Sequence, residues 1–297
     1  TMADAVIAEW IAVDWGTSRL RAWAMDGDQV LAEASSDDGM GRMTQDRFEP
    51  ALISLVSEWL GDGLTTVLAC GMVGARQGWQ EAPYRAVPCA PVAAGDTVKV
   101  ETQDPRLDVR IIAGLSQAAP ADVMRGEEVQ IAGFLSQQPD FEGVLLLPGT
   151  HSKHVELVDG HVQRFATHMT GEHFNLICAH SILKHSVAEG DHDPVAFADG
   201  VQIGRAGNAL KRLFSIRAEG LVGQSDPVAA RSKLSGMLIG AELADLDPKR
   251  PTMVIGSGAL CDLYLAALLQ IGVDAAARDG GDLVRAGLTK LYLTEQA

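Results

Sequence analysis

Asp14-Trp15-Gly16-Thr17-Ser18 stands between two apolar runs, one over residues 7–14 and one over residues 20–26. Each run reads as a buried strand. A strand that ends on a carboxylate and turns through Gly-Thr-Ser can grip an oxyanion. Gly16 lets the backbone approach closely, and the N–H groups and hydroxyls of residues 16–18 can donate to phosphate oxygens. Asp14 can hold Mg²⁺, largely through water, because Mg²⁺ keeps much of its hydration shell. An ordinary hairpin with a surface aspartate has the same local pattern, so the reading depends on the rest of the chain.

Outward from that turn, Asp26-Gly27-Asp28 is a hairpin signal and residues 29–34 a third strand. Residues 49–60 have helical apolar spacing, and residues 65–69 form a short strand that opens into the glycine-rich stretch 71–79. Residues 80–122 read as irregular, broken by Pro83, Pro88, Pro91, Pro105 and Pro120, with one strand at 109–113. A helix is expected over 127–137. The pattern then restarts with strands at 143–147 and 153–158, and a third strand from Asp159-Gly160 to residue 167. Helices are expected over 171–187, 195–215 and 227–245, a strand over 252–255, a helix over 260–270, a strand over 273–276 and a helix over 282–292. The strand meander followed by helix and strand thus occurs twice, as a repeat of pattern rather than of residues. That predicts an α/β fold in two lobes, residues 1–122 and 123–297, with duplicated mixed sheets.

The bulk numbers agree with two domains, since 297 residues correspond to roughly two units of about 150. The net charge of −15 argues against a nucleic-acid partner, whose phosphates would be repelled. It leaves nucleotide binding open, because backbone N–H groups and a metal ion hold phosphates without a basic surface. Cys70, Cys89, Cys178 and Cys261 are widely spaced and read as reduced thiols of a cytoplasmic protein. Asp4 and Glu9 interrupt the start, so no secretory leader is expected. No apolar run suggests a membrane span. A homodimer is left open.

Two further turns repeat the logic of the first. Leu147-Pro148-Gly149-Thr150-His151-Ser152 is again strand, Gly-Thr turn, strand, at the start of the second repeat. Two such turns facing each other across a cleft would make a phosphate clamp of Gly16, Thr17 and Ser18 with Gly149, Thr150, His151 and Ser152. Ile255-Gly256-Ser257-Gly258-Ala259 carries a strand into a helix through small residues, against which a base or ribose can lie; a plain strand–helix connection reads the same way.

The three turns, in this order, resemble the two phosphate motifs and the adenosine motif of the actin/hexokinase/heat-shock-ATPase superfamily. The resemblance is narrower still at Asp14-Trp15-Gly16-Thr17, Arg21-Ala22-Trp23, Gly71-Met72-Val73-Gly74, Gly78-Trp79 and Pro83-Tyr84. It continues through Met124-Arg125-Gly126-Glu127-Glu128, Pro148-Gly149-Thr150-His151, Met169-Thr170-Gly171-Glu172 and Ser235-Gly236-Met237-Leu238-Ile239-Gly240-Ala241-Glu242. These blocks are similar to the 2-dehydro-3-deoxygalactonokinase family. The resemblance implies a two-lobed actin-like ATPase (ribonuclease H-like) fold with a central cleft. It also implies ATP and Mg²⁺ as cofactors, and transfer of the γ-phosphate to the 6-hydroxyl of 2-dehydro-3-deoxy-D-galactonate. A kinase for the gluconate epimer or another sugar, and a phosphate-hydrolysing member of the superfamily, stay as alternatives.

Phosphoryl transfer needs positioning, charge neutralisation and a carboxylate to take the hydroxyl proton. Related sugar kinases place a Gly-Asp at a helix start ahead of the second phosphate motif, and Gly126-Glu127 takes that place here. Glu127 is the expected base and Glu128 its competitor; both could instead be helix N-terminal acids that favour the macrodipole. The acidic substrate calls for a cation, and Arg19, Arg21, Arg76 and Arg125 are the candidates, with Arg21 open to a structural role. Gly74, Trp79 and Tyr84 are candidate sugar contacts, the two aromatics being equally readable as core. Glu172 could bind a sugar hydroxyl or cap its helix. His151, His154, His161, His168 and His173 crowd together, but His151 and His154 would point to opposite strand faces and no H-E-x-x-H pattern appears. A zinc site is therefore not expected.

Overall fold

The computed structural model describes residues 6–223 and 226–297, so Asp4 lies outside the described residues. In chain order it forms β1 (Trp10–Trp15), β2 (Leu20–Asp26), β3 (Gln29–Ser36), α1 (Phe48–Val56), β4 (Thr65–Cys70), β5 (Tyr84–Ala86), β6 (Thr97–Lys99), β7 (Leu107–Ile112), β8 (Gly114–Ala118), β9 (Ala121–Met124) and α2 (Glu127–Gln137). There follow β10 (Gly143–Leu147), β11 (Ser152–Val158), β12 (His161–His168), α3 (Thr170–His180), α4 (Pro194–Arg205), α5 (Ala209–Leu221), α6 (Pro227–Glu242), β13 (Thr252–Ile255), α7 (Gly258–Gln270), β14 (Ala276–Arg278) and α8 (Gly280–Gln296).

Two structural units emerge. The first holds the described residues up to Phe141 together with Leu157–Arg164 and Gly280–Ala297; the second holds Glu142–Glu156 and Phe165–Asp279. The sequence placed a boundary after residue 122, whereas here α2 stays with the first unit. The reason is packing: Gly133 of α2 comes so close to Leu283 of α8 that a β-carbon would lie 1.9 Å from its carbonyl oxygen. The tip 157–164 joins the first unit through backbone pairing of Val162 with Cys89.

The first unit is built on a six-stranded sheet of order β3-β2-β1-β4-β7-β6. β1 runs antiparallel to β2 and parallel to β4, and β4 is parallel to β7. Trp10, Ile11, Ala12 and Val13 are all buried, as a central strand covered on both faces requires. On one face Trp15 packs edge-on to Phe48 and Trp79, which stack on each other. On the other Trp10 stacks on Tyr292 of α8 with ring centres 4.4 Å apart. Each such burial contributes roughly 1.5–3 kcal/mol. An exposed pair such as Arg19–Asp37 contributes about 0–1 kcal/mol, so the core rather than surface charge holds the sheet. A small sheet of order β5-β8-β9 carries the chain into α2.

The second unit repeats the layout in the order β12-β11-β10-β13-β14, with β10, β13 and β14 parallel. Phe197, Val201, Ile239, Tyr264 and Leu268 fill the core on one side of it. The duplicated strand meander read from the sequence is therefore present in both sheets.

Several expectations are corrected. Residues 80–122 are not irregular, since they hold four of the strands and the start of β9. The helix expected over 195–215 is two helices, because Gly207 breaks it at φ +74°. The helix expected over 171–187 stops at His180 and gives way to a 3₁₀ turn, Ile182–His185. The first strand begins at Trp10 rather than residue 7, and the strand expected over 273–276 lies at Ala276–Arg278. Among the described residues no helix is long and apolar enough to cross a membrane.

Candidate active site

In the first unit the ends of β1 and β4 meet the start of α2. Gly71, directly after β4, has φ +93°, and a β-carbon there would lie 2.8 Å from the Trp15 carbonyl oxygen and 3.5 Å from Asp14 Oδ1. Gly126 caps α2 at φ +107°, and a β-carbon on it would meet the Gly71 Cα at 3.4 Å. Two glycines therefore let the helix that carries Glu127 and Glu128 close onto the loop beside Asp14. The Gly16-Thr17-Ser18 turn is half-exposed to exposed and is braced from behind. Met40 and Gly41 donate their N–H groups to the carbonyls of Gly16 and Thr17, and Trp15 Nε1 donates to the Asp38 carbonyl at 2.7 Å. The sequence reading missed this brace, whose one signal was Gly39: a β-carbon there would collide with the Ser18 backbone at 2.2 Å.

Asp14 accepts a hydrogen bond from Arg21 Nη2 through Oδ2. Oδ1 points toward Gly71, in position to meet a water of a hydrated Mg²⁺. Among the described residues no group of three His, Cys, Asp or Glu side chains is arranged to hold a metal. If a divalent ion binds here, the partly exposed Asp14 carboxylate could contact it.

The two glutamates have unlike surroundings. Glu127 is half-buried and accepts the Arg125 N–H at 3.1 Å. Glu128 is fully buried; Oε2 accepts the Gly126 N–H at 2.7 Å, and Oε1 has no hydrogen-bond partner among the described residues. Burial, and then the neighbouring charge of Glu127, push the Glu128 carboxyl up to about 8. Burial, followed by the charges of Asp14 and Glu128, also pushes the Cys70 thiol well above its ordinary value. Asp14, Cys70 and Glu128 thus form one acidic corner, buried at Cys70 and Glu128 and partly open at Asp14.

The remaining candidates separate by exposure. Arg125 is a pillar: Nη2 donates to the Ala82 carbonyl at 2.7 Å, the guanidinium lies 4.4 Å over the Tyr84 ring, and Nε and Nη1 are shielded from solvent. Gly74 sits directly on it, since a β-carbon there would lie 2.9 Å from Arg125 Nη1. Trp79 belongs to the core with Trp15 and Phe48, the structural role the sequence had left open, while Tyr84 is exposed. Arg19 is exposed and pairs with Asp37. Arg76 is exposed on the glycine-rich loop and enters no ion pair among the described residues.

In the second unit, the turn after β10 is seated on the start of α3. Glu172 donates its N–H to the Thr150 carbonyl at 3.0 Å, and a β-carbon on Gly171 would lie 2.5 Å from the Gly149 carbonyl oxygen. The Glu172 side chain does not cap α3; it bonds His151 Nε2 at 2.5 Å, so both exposed side chains are joined at the turn. Ser152 differs from its expected role of donating to phosphate. It is buried, and its hydroxyl is shared between Tyr264 Oη at 2.9 Å and the Gly149 N–H at 3.4 Å. His154 and Glu242 are hydrogen-bonded at 2.8 Å.

A cavity of about 360 Å³ opens beside this turn, lined by Gly149, Gly171, Phe174, Leu238, Ala259 and Leu260 among others. Its walls are mainly apolar, as for a flat aromatic ligand. Ala259 of the third turn is therefore in the wall, and Gly258, with φ +70°, starts α7 beneath it. Gly256 donates its N–H to the Arg278 carbonyl, which fixes the turn to β14, and Ser257 is the N-cap residue of α7.

The model of the 2-keto-3-deoxy-galactonokinase family matches residues 14–291. The Rhizobium meliloti (strain 1021) protein DgoK1, provisionally named a 2-dehydro-3-deoxygalactonokinase, is 40% identical over 94% of this chain and 95% of its own. The 2-dehydro-3-deoxygalactonokinase of Escherichia coli (strain K12) is 32% identical over 96% of this chain and 97% of its own. A crystal structure from Sinorhizobium meliloti, given the same activity provisionally, superposes with a TM-score of 0.86 at 39% identity, covering 95% of each chain. A Porphyromonas gingivalis protein provisionally named an N-acetylglucosamine kinase shares the fold alone, with a TM-score of 0.51 at 14% identity over 97% of this chain and all of that one.

Proposed function

This chain belongs to the 2-keto-3-deoxy-galactonokinase family of sugar-acid kinases with the actin-like fold, and from that premise we propose that it moves the γ-phosphoryl group of ATP to the 6-hydroxyl of 2-dehydro-3-deoxy-D-galactonate, releasing ADP. The observation that carries this reading is the close approach of Gly126 to Gly71, which brings the acidic start of α2 to the loop beside Asp14.

Glu127 is the base in this reading. It is half-buried and can reach a bound hydroxyl, whereas Glu128 is enclosed and holds a proton at neutral pH. In this reading the backbone N–H groups of Thr17 and Ser18, and those of Thr150 and His151, donate to phosphate oxygens, while the Gly16 and Gly149 N–H groups are taken by the Arg19 carbonyl and the Ser152 hydroxyl. Mg²⁺ bound beside Asp14 would neutralise charge that develops on those oxygens. The mainly apolar cavity at Ala259 receives the adenine. Arg76, exposed and unengaged in ion pairing among the described residues, takes the substrate carboxylate, and Arg125 supports the loop that presents it.

A coupled assay for ADP tests the reading, run with 2-dehydro-3-deoxygalactonate, with its gluconate epimer and with no sugar acid. ADP release that depends on the galactonate compound is expected. Equal release without sugar acid would refute transfer in favour of hydrolysis, and turnover only with the epimer would refute the substrate.

A further inference from the structure

One buried carboxylate ties together four elements around the second turn. Glu242 ends α6, its side chain 1% exposed. Oε1 meets His154 Nε2 of β11 at 2.8 Å, and Oε2 accepts the Tyr264 hydroxyl of α7. Thr170, the first residue of α3, hydrogen-bonds both Glu242 and Tyr264. Tyr264 then reaches Ser152 at 2.9 Å, and Ser152 reaches the Gly149 N–H at 3.4 Å. The chain of contacts therefore runs from the core to the backbone of the turn itself. Burial alone would push the Glu242 carboxyl up; hydrogen bonds from His154, Thr170 and Tyr264 overturn that and hold it below its ordinary value, so it stays ionised. An ionised, fully hydrogen-bonded group in a dry setting fixes its donors firmly.

Buried charges are often replaceable by well-packed apolar side chains without loss of stability, so a buried carboxylate is weak evidence of a stabilising role. A geometric role explains the expense. Tyr264 serves in two places: it is among the residues lining the cavity beside the turn, and its hydroxyl carries the link to Ser152.

We propose that Glu242 is a positioning residue for the nucleotide's phosphates, holding the Pro148–Ser152 turn in its binding geometry through Tyr264, Ser152 and Thr170, and that Tyr264 joins the base cavity to the phosphate turn. The inference rests on the reading of that turn as a phosphate site. Removing the hydroxyl link loosens the turn while leaving the ring, and hence the cavity, in place.

The test compares binding of adenosine with binding of a non-hydrolysable ATP analogue plus Mg²⁺, by calorimetry and competition, on the full chain. Tyr264→Phe should weaken the analogue about tenfold, the scale of a lost hydrogen bond to a charged group, while adenosine affinity stays within about twofold. Thr170→Val should do the same and Thr170→Ser should restore wild-type binding; this pair decides the matter if Tyr264→Phe folds poorly. Equal weakening of both ligands would overturn the proposal, because it would mean the residues only shape the cavity. Unchanged analogue binding in a variant, with wild type binding normally, would overturn it as well. Wild type failing to bind the analogue at all would instead sink the phosphate reading of the turn, and this inference with it.

Discussion

Glu128→Gln should gain stability relative to wild type as the pH rises. The wild-type carboxyl is fully buried with one oxygen bonded to the Gly126 N–H and the other without a partner among the described residues. Burial first, then the charge of Glu127, raise it to about 8, against an ordinary value of 4.5. A carboxyl with a raised folded-state value holds its proton in the folded chain after the unfolded chain has released it. Its contribution is fully present below the unfolded value of 4.5, falls through the window up to about 8, and is lost above it. Between pH 5 and pH 9 the wild type should lose on the order of 4 kcal/mol that the variant does not, at about 1.36 kcal/mol per pH unit. Water entry on ionisation would lower the figure, so it is a ceiling. Glutamine keeps the shape and can still accept the Gly126 N–H, so packing changes cancel in the comparison. Urea unfolding of both proteins at pH 5, 7 and 9, extrapolated to water, measures the difference. A gap between the two that changes by less than about 1 kcal/mol over this range would show that Glu128 is ionised in the folded protein. The division of labour between the two glutamates would then fail.

Glu127→Gln should reduce kcat by about 10²–10⁴-fold with nucleotide affinity near wild type; turnover within a few-fold of wild type would remove Glu127 as the base. Arg76→Ala should raise KM for the sugar acid about 10–100-fold and leave KM for ATP unchanged, as steady-state kinetics with each substrate varied would show. Gly71→Ala should destabilise the fold by about 1–3 kcal/mol, because φ +93° is strained for any side chain and the Trp15 carbonyl lies in the way. Thermal unfolding reads that effect, and an unchanged Tm would mean the loop repacks at no cost.

How far the site could be read from sequence depends on how local each contact is. Strand, Gly-Thr turn, strand is a feature of adjacent residues, so Asp14–Ser18 and Leu147–Ser152 were legible, and with them the repeat of two sheets. The start of α2 was legible too, because Gly126 followed by two glutamates is a helix-start signal. The residues that hold these pieces in place are a different matter. Gly39 against Ser18, Val162 against Cys89, and Glu242 with His154 and Tyr264 join positions far apart in the chain, and no spacing rule links them. Ser152 shows the consequence. By local pattern it belonged with Thr150 as a phosphate donor; in three dimensions its strand turns the hydroxyl inward, to a tyrosine more than a hundred residues away. The strands in residues 80–122 escaped for a related reason. β5, β8 and β9 are short and interrupted by Pro88 and Pro120, and pairing with one another rather than apolar periodicity defines them. Local sequence therefore specifies the turns and the residue types they carry. Long-range burial specifies where each donor points, and for Ser152 and Trp79 that direction, not residue type, separates a ligand contact from a support.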